Sequence, residues 1–137
     1  MRINKTIERW FPAPDDPDKS EHKIKHLTPG EVLDTVTGAT TQETTYLQDE
    51  DGGDLVPEMK SHIEPGAIQK DQFLRALRDW KNMFDDEGAP MECTEENKIR
   101  AMRDIDGYLP FVTECRERLA VDVEKEKEAR IKNLSSS

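Results

Sequence analysis

The chain has 137 residues, 34 % apolar and 36 % charged, with a mean hydropathy of -0.89, which allows one domain with a small core and segments outside it. Asp and Glu number 30 against 20 Lys and Arg, for a net charge of -10; that sign excludes phosphate-backbone binding, where Lys and Arg replace counterions, and favours basic partners. No apolar run reaches the length that spans a bilayer.

The opening MRINKTIERWF is charged throughout and has no apolar signal-peptide core, which predicts a protein that is not exported. Cys93 and Cys115 are the only cysteines, so reduced thiols used as small hydrophobes are expected rather than a disulfide. Residues 2–11 alternate roughly, with Ile3, Lys5, Ile7 and Arg9 on one face and Asn4, Thr6, Glu8 and Trp10 on the other, as in a strand. PAPDDPDKS supplies turn chemistry. EHKIKHL then predicts a second strand with His22, Ile24 and His26 on one face, closing a β-hairpin. Alone such a hairpin is marginal, so it must pack on something.

A short helix starts at Thr28 as N-cap, with Pro29 in the first helical position and Glu31 completing a capping box. Val32, Leu33 and Val36 give it an apolar face, and Gly38 ends it. Residues 38–66, rich in Thr, Gly, Pro and acid, are expected to be flexible, with local structure only around Leu55, Met59 and Ile63. From Gln69 to Phe84 a helix is predicted, because Phe73, Leu77, Trp80 and Phe84 recur at spacings of four, three and four with Leu74 beside them. DDEGAP stops it. Thr94 caps the next helix, with Glu95 and Glu96 in the first turn and Ile99 and Met102 on the inner face. After DIDGYLP, Pro110 begins a last helix with Phe111, Cys115, Leu119 and Val123 at every fourth position; it runs into EKEKEARIKNL, anchored late by Ile131 and Leu134. The fold class is α+β: an N-terminal β-hairpin packed on a mainly helical body of about four helices, with a charged helical or frayed C-terminal tail. Its expected divisions are the hairpin and first helix (1–37), the flexible acidic segment (38–66), the helical core (67–123) and the charged tail (124–137).

Several candidate sites fail on their own chemistry. DEDGGD, DDEG and DIDG resemble calcium loops, but none places oxygen ligands, glycine and glutamate at the EF-hand positions. His22, His26, Cys93 and Cys115 contain no closely spaced ligand pair. On a strand the two histidines lie about 13 Å apart, and exposed strand histidines are the better reading. There is no nucleophile elbow, P-loop or Gly-x-Gly-x-x-Gly run, and Cys115 falls on an apolar helix face. No catalytic residue, metal or cofactor is expected. The stripe Phe73, Trp80 and Phe84 reads first as core, with a groove for a partner helix as the alternative.

Together, Trp80, Asp86, Gly88, Pro90, Cys93, Thr94, Glu96 and Asn97, with the Pro-Asp loop and KIKHLTPGE, resemble the small tail assembly chaperones and minor tail proteins of long-tailed bacteriophages and prophages. The likeness covers roughly half of the chain. It implies a non-enzymatic protein of the bacterial host cytoplasm that binds apolar helices of the tape measure protein and recruits the tail-tube protein. It implies no nucleic acid and no membrane, and leaves formation of a homo-oligomer open. It also implies that the corner Asp86, Gly88, Pro90 and Thr94 joins two helices. The residues expected to meet the partner are Phe73, Leu77, Trp80 and Phe84, with Met83, Met91 and Met102 as adaptable contacts. The alternatives are a structural head–tail or tail component of the virion, and an acidic DNA-mimic inhibitor of a host protein.

Overall fold

The structure, a computed structural model, describes residues 1–3, 5–48 and 55–135. Asn4 and the DEDGGD cluster therefore lie outside the described residues, as does the side chain of Leu134. Among the described residues the fold is α+β with an N-terminal β-hairpin and four helices. The chain divides into two compact units, Met1–Leu27 with Phe73–Ser137, and Thr28–Gln72.

In the first unit, β1 (Glu8–Pro12) and β2 (Glu21–Lys25) form the hairpin, and β5 (Leu77–Lys81) pairs antiparallel with the other edge of β2. The first strand is shorter than its alternation suggests: it starts at Glu8, and Ile3 is fully exposed. Arg9 and Phe11 stand opposite Ile24 and His22, which puts these four on one face of the sheet. Trp10 and Lys23 are paired on the other face, where Lys81 Nζ also lies 4.3 Å from the Trp10 ring centre. The inner face packs on α4 (Tyr108–Ser135), which contributes Tyr108, Val112, Cys115, Leu119 and Val123 to the core. Cys115, Leu119 and Val123 are the stripe read in the sequence; at its start Tyr108 and Val112 take the buried positions, and Phe111 is only half-buried. The helix also begins at Tyr108 rather than Pro110. The proline falls in the first turn, where no N–H is needed. The charged tail continues as helix to Ser135. Arg9 forks onto Asp122 and Glu126 of α4 at 2.9 and 3.0 Å; these side chains are part-exposed, so the fork stabilises little.

The helix expected over Gln69–Phe84 is a correction. The helix α2 spans Pro65–Ala76, and Leu77 and Trp80 lie on β5. The spacing misleads for a physical reason. Asp79 pairs with Lys23 and Leu77 with Ile24, leaving Arg78 as an extra residue. Such a bulge shifts the alternation by one, so two residues three apart both face the core. A helix gives the same spacing, and the open edge of β2 decides for the strand.

The connection after β5 likewise is not a corner between two helices; it joins β5 to α3 (Glu95–Asp104). Asp85 organises it: its Oδ1 accepts from the Glu87 and Ala89 amides, both at 2.9 Å. Gly88 takes φ 81, which a glycine adopts without strain. Phe84 bridges Pro90, and the Met91 amide donates to the Met83 carbonyl at 2.9 Å. Thr94 Oγ1 caps α3 by accepting from the Asn97 amide at 3.2 Å. On α3 the buried residue is Ala101, with Ile99 and Met102 half-buried.

In the second unit, α1 (Pro29–Gly38) has the expected capping box: Thr28 Oγ1 accepts from the Glu31 amide at 3.2 Å, and the Thr28 amide donates to Glu31 Oε1 at 3.3 Å. It groups with the segment that follows it rather than with the hairpin before it. Within residues 38–66, expected to be flexible, the stretches 40–48 and 55–63 carry regular structure instead. The strands β3 (Thr40–Gln48) and β4 (Leu55–Ile63) pair antiparallel along nine positions. Thr and Val favour a pleated surface.

Candidate functional site

A cleft of about 430 Å³ opens in the first unit, where the loop between β1 and β2, the residues after β5 and the turn between α3 and α4 meet. Its walls carry Met83, Phe84, Ile105 and Phe111, and Asp16, Asp18 and Asp106 stand among them. Phe84 and Ile105 are 41 % and 38 % exposed, so the cleft presents two large apolar side chains to solvent.

Behind the cleft lies a buried polar chain. Ser20, at the end of the loop just before β2, and His22, on the inner face of β2, are both buried. His22 Nε2 is 2.9 Å from Ser20 Oγ, and His22 Nδ1 is 2.9 Å from Tyr108 Oη. Ser20 Oγ also meets Asp16 Oδ2, which accepts from the Ser20 amide as well. Donors and acceptors then fix one direction. An ionised carboxylate only accepts, so the Ser20 hydroxyl donates to Asp16. Ser20 Oγ must accept from His22 Nε2–H, and in a neutral imidazole Nδ1 accepts from the Tyr108 hydroxyl. Burial supports the neutral form by pushing the His22 pKa down to about 4, opposed by the Asp16 charge. The Ser20 hydroxyl bond, with the Asp18 and Ser20 amides, holds Asp16 below the usual carboxylate range. Burial raises the Tyr108 hydroxyl.

This order has a chemical consequence. A nucleophilic serine needs the lone pair of a base. Here Nε2 carries the proton, and the serine proton points to Asp16. Ser20 is therefore a link between loop, strand and helix, not an activated hydroxyl. The thiols are not activated either: burial pushes Cys93 and Cys115 up to about 11. Among the described residues no three His, Cys, Asp or Glu side chains converge to hold a metal ion. No helix among them is long and apolar enough to cross a membrane.

The residues singled out in the sequence separate into two groups. Phe73, Leu77, Trp80 and Met83 are buried core, and Trp80 Nε1 donates to the Met91 carbonyl at 2.7 Å. Met91 and Met102 are half-buried against that core. Only Met83 and Phe84 reach the cleft. Of the corner residues, Asp86 pairs with Arg100 at 3.0 Å on the surface. His22, expected to be an exposed strand histidine, is 1 % exposed; His26 is half-buried, and burial lowers its pKa. Sequence reasoning missed Ser20, Tyr108 and Ile105. The available signal was the period of two through Ser20, His22 and Ile24, which places all three on the face that holds the core.

In comparisons with protein-family models, with curated proteins and with solved structures, nothing matches this chain.

Proposed function

We propose that the chain is a non-enzymatic binding protein of the bacterial host cytoplasm, of the tail assembly chaperone kind that its sequence resembles. It holds an amphipathic helix of a phage tape measure protein and recruits the tail-tube protein, without a cofactor, a nucleic acid or a membrane. The observation that carries this reading is the cleft, where exposed Phe84 and Ile105 stand beside Asp16, Asp18 and Asp106. An apolar anchor flanked by Lys or Arg on one helix face satisfies both halves of such a surface. The net charge of -10 draws a basic helix from a distance. The direction of the Asp16–Ser20–His22–Tyr108 chain leaves Ser20 without a base in His22, which supports a binding role.

The test is affinity capture of the tagged chain from phage-producing cells at moderate and high salt, with mass spectrometry of what is retained. Peptides from the captured protein are then titrated against the parent and Phe84→Ala. A very long, helix-rich protein retained at both salts, whose peptides lose at least tenfold in affinity for Phe84→Ala, supports the reading. A basic host DNA-binding protein that is lost at high salt sinks it.

A further inference from the structure

The β3–β4 ribbon leaves Tyr46, Leu55, Met59 and Ile63 in the open. Alternate residues of a strand share a face, so Leu55, Pro57, Met59 and Ile63 of β4 stand with Thr44 and Tyr46 of β3. Tyr46, Leu55, Met59 and Ile63 are 65 %, 61 %, 67 % and 50 % exposed. Glu43, Glu58, Lys60 and His62 all fall on the opposite face. A two-stranded ribbon is marginal in water, whereas three or more strands with an apolar face are stable.

The edges say which way it can grow. Proline fits within a ladder where its nitrogen points away from the paired strand. Pro57 therefore takes a donor from the outer edge of β4 and blocks it. Its partner is Tyr46. Because hydrogen-bonded and non-hydrogen-bonded pairs alternate along an antiparallel ladder, Gln42, Thr44 and Tyr46 then turn their amides and carbonyls outward from β3. That edge carries four threonines in nine residues, no proline, no lysine and a single charge, Glu43. It is an open template for another strand.

We infer that the outer edge of β3 pairs antiparallel with β3 of a second copy of this chain, giving a four-stranded sheet in the order β4-β3-β3-β4 with Tyr46, Leu55, Met59 and Ile63 of both copies on one face. A two-fold axis at Thr44 sets Thr44 against Thr44 and Gln42 against Tyr46. Glu43 then opposes Thr45 rather than its own copy, so like charges do not meet in the ladder. The outward-facing residues are those of the apolar face, and this register keeps that face on one side. An isologous contact of this kind closes on itself and does not propagate. The interface is independent of the cleft.

Sedimentation velocity from low micromolar to near-millimolar concentration reads the mass, starting from 15.8 kDa for one chain, with hydrogen exchange at each concentration. The expected result is a doubling of mass, with the Gln42, Thr44 and Tyr46 amides gaining protection as it doubles. Because each copy carries a charge of -10, added salt should strengthen the dimer by screening their repulsion. Thr44→Pro removes an outward amide and leaves the ribbon's own ladder in place, as Pro57 does; it should be monomeric with an unchanged far-UV spectrum. Thr44→Lys sets two ammonium groups face to face, and it too should be monomeric. A parent that stays monomeric at every concentration overturns the inference, as does a dimer that survives both variants. Outward amides that exchange freely while the apolar face binds an amphipathic helix instead would also overturn it.

Discussion

Lowering the pH through the window where only histidines titrate should destabilise the protein, and His22 should be the main reason. Its pKa is held near 4 in the folded protein against an ordinary 6.5. The unfolded chain therefore takes up a proton first as the pH falls, and stability is lost between about 6.5 and 4. The complete loss corresponds to roughly 3 kcal/mol, with about 2 kcal/mol of it gone by pH 5. The structural cause is visible in the hydrogen bonds. Protonation gives Nδ1 a hydrogen where it now accepts from Tyr108, so the tyrosine hydroxyl must turn away in a buried site. Urea unfolding from pH 7 to pH 5, with an NMR titration of the His22 ring, measures both sides of the linkage. His26 contributes in the same direction, since its pKa is also lowered by burial, and His26→Gln separates the two. Asp16 and Glu8, both lowered, act from the usual carboxylate range downward, below the pH 7 to 5 window. A His22 titration near 6.5 in the folded protein would refute the reasoning, as would a stability that stays level from pH 7 to pH 5.

Trp80→Ala removes a side chain that is buried and donates to the Met91 carbonyl, so urea denaturation should record a loss of about 3–5 kcal/mol; a loss below about 1 kcal/mol would place Trp80 outside the core. Phe84→Ala, at a half-open surface position, should leave stability within about 0.5 kcal/mol of the parent while weakening partner peptides. Cys93 and Cys115, raised by burial to about 11, should resist a thiol reagent at neutral pH in the native protein and react at once in urea. Fast native labelling of Cys115, buried on α4, would contradict its packing.

What could be read from the sequence was what local chemistry decides. The capping box at Thr28, the cap at Thr94 and the apolar repeat of the last helix each need only neighbours within a few residues. What failed depends on partners far along the chain. Leu77 and Trp80 follow a helical spacing, yet an edge of β2 more than fifty residues earlier draws them into a strand. The ribbon was hidden by Pro57, which argues against a central strand and fits an edge. His22 looked like an exposed strand residue because its acceptor and donor come from opposite directions, Ser20 next to it and Tyr108 across 86 residues. Phe84 was legible as apolar, but not its position at the cleft, because that depends on how Asp85 folds the following loop.

The buried chain and the cleft are mechanically one device. Asp16 and Ser20 belong to the loop that forms one wall, and Tyr108 follows directly on Ile105, Asp106 and Gly107 of another. His22 on β2 joins the two walls through hydrogen bonds of 2.9 Å on either side of its ring. A leucine of similar volume would fill the same space with less dependence on pH, but it would leave Ser20 and the Tyr108 hydroxyl to find other partners in a site closed to water. The histidine thus fixes wall position by direction as well as by contact. Since the joint holds while the ring is neutral, and the folded ring takes its proton only near pH 4, the cleft should keep its shape from pH 7 to pH 5 even as the unfolded chain gains protons. Binding of an apolar, basic helix should then hold level from pH 6.5 to 5, while urea unfolding over the same range records the falling stability. Phe84→Ala would lower the affinity at both pH values; a parent affinity that falls between pH 6.5 and 5 would mean that the folded ring takes its proton well above 4 and would refute the neutral joint.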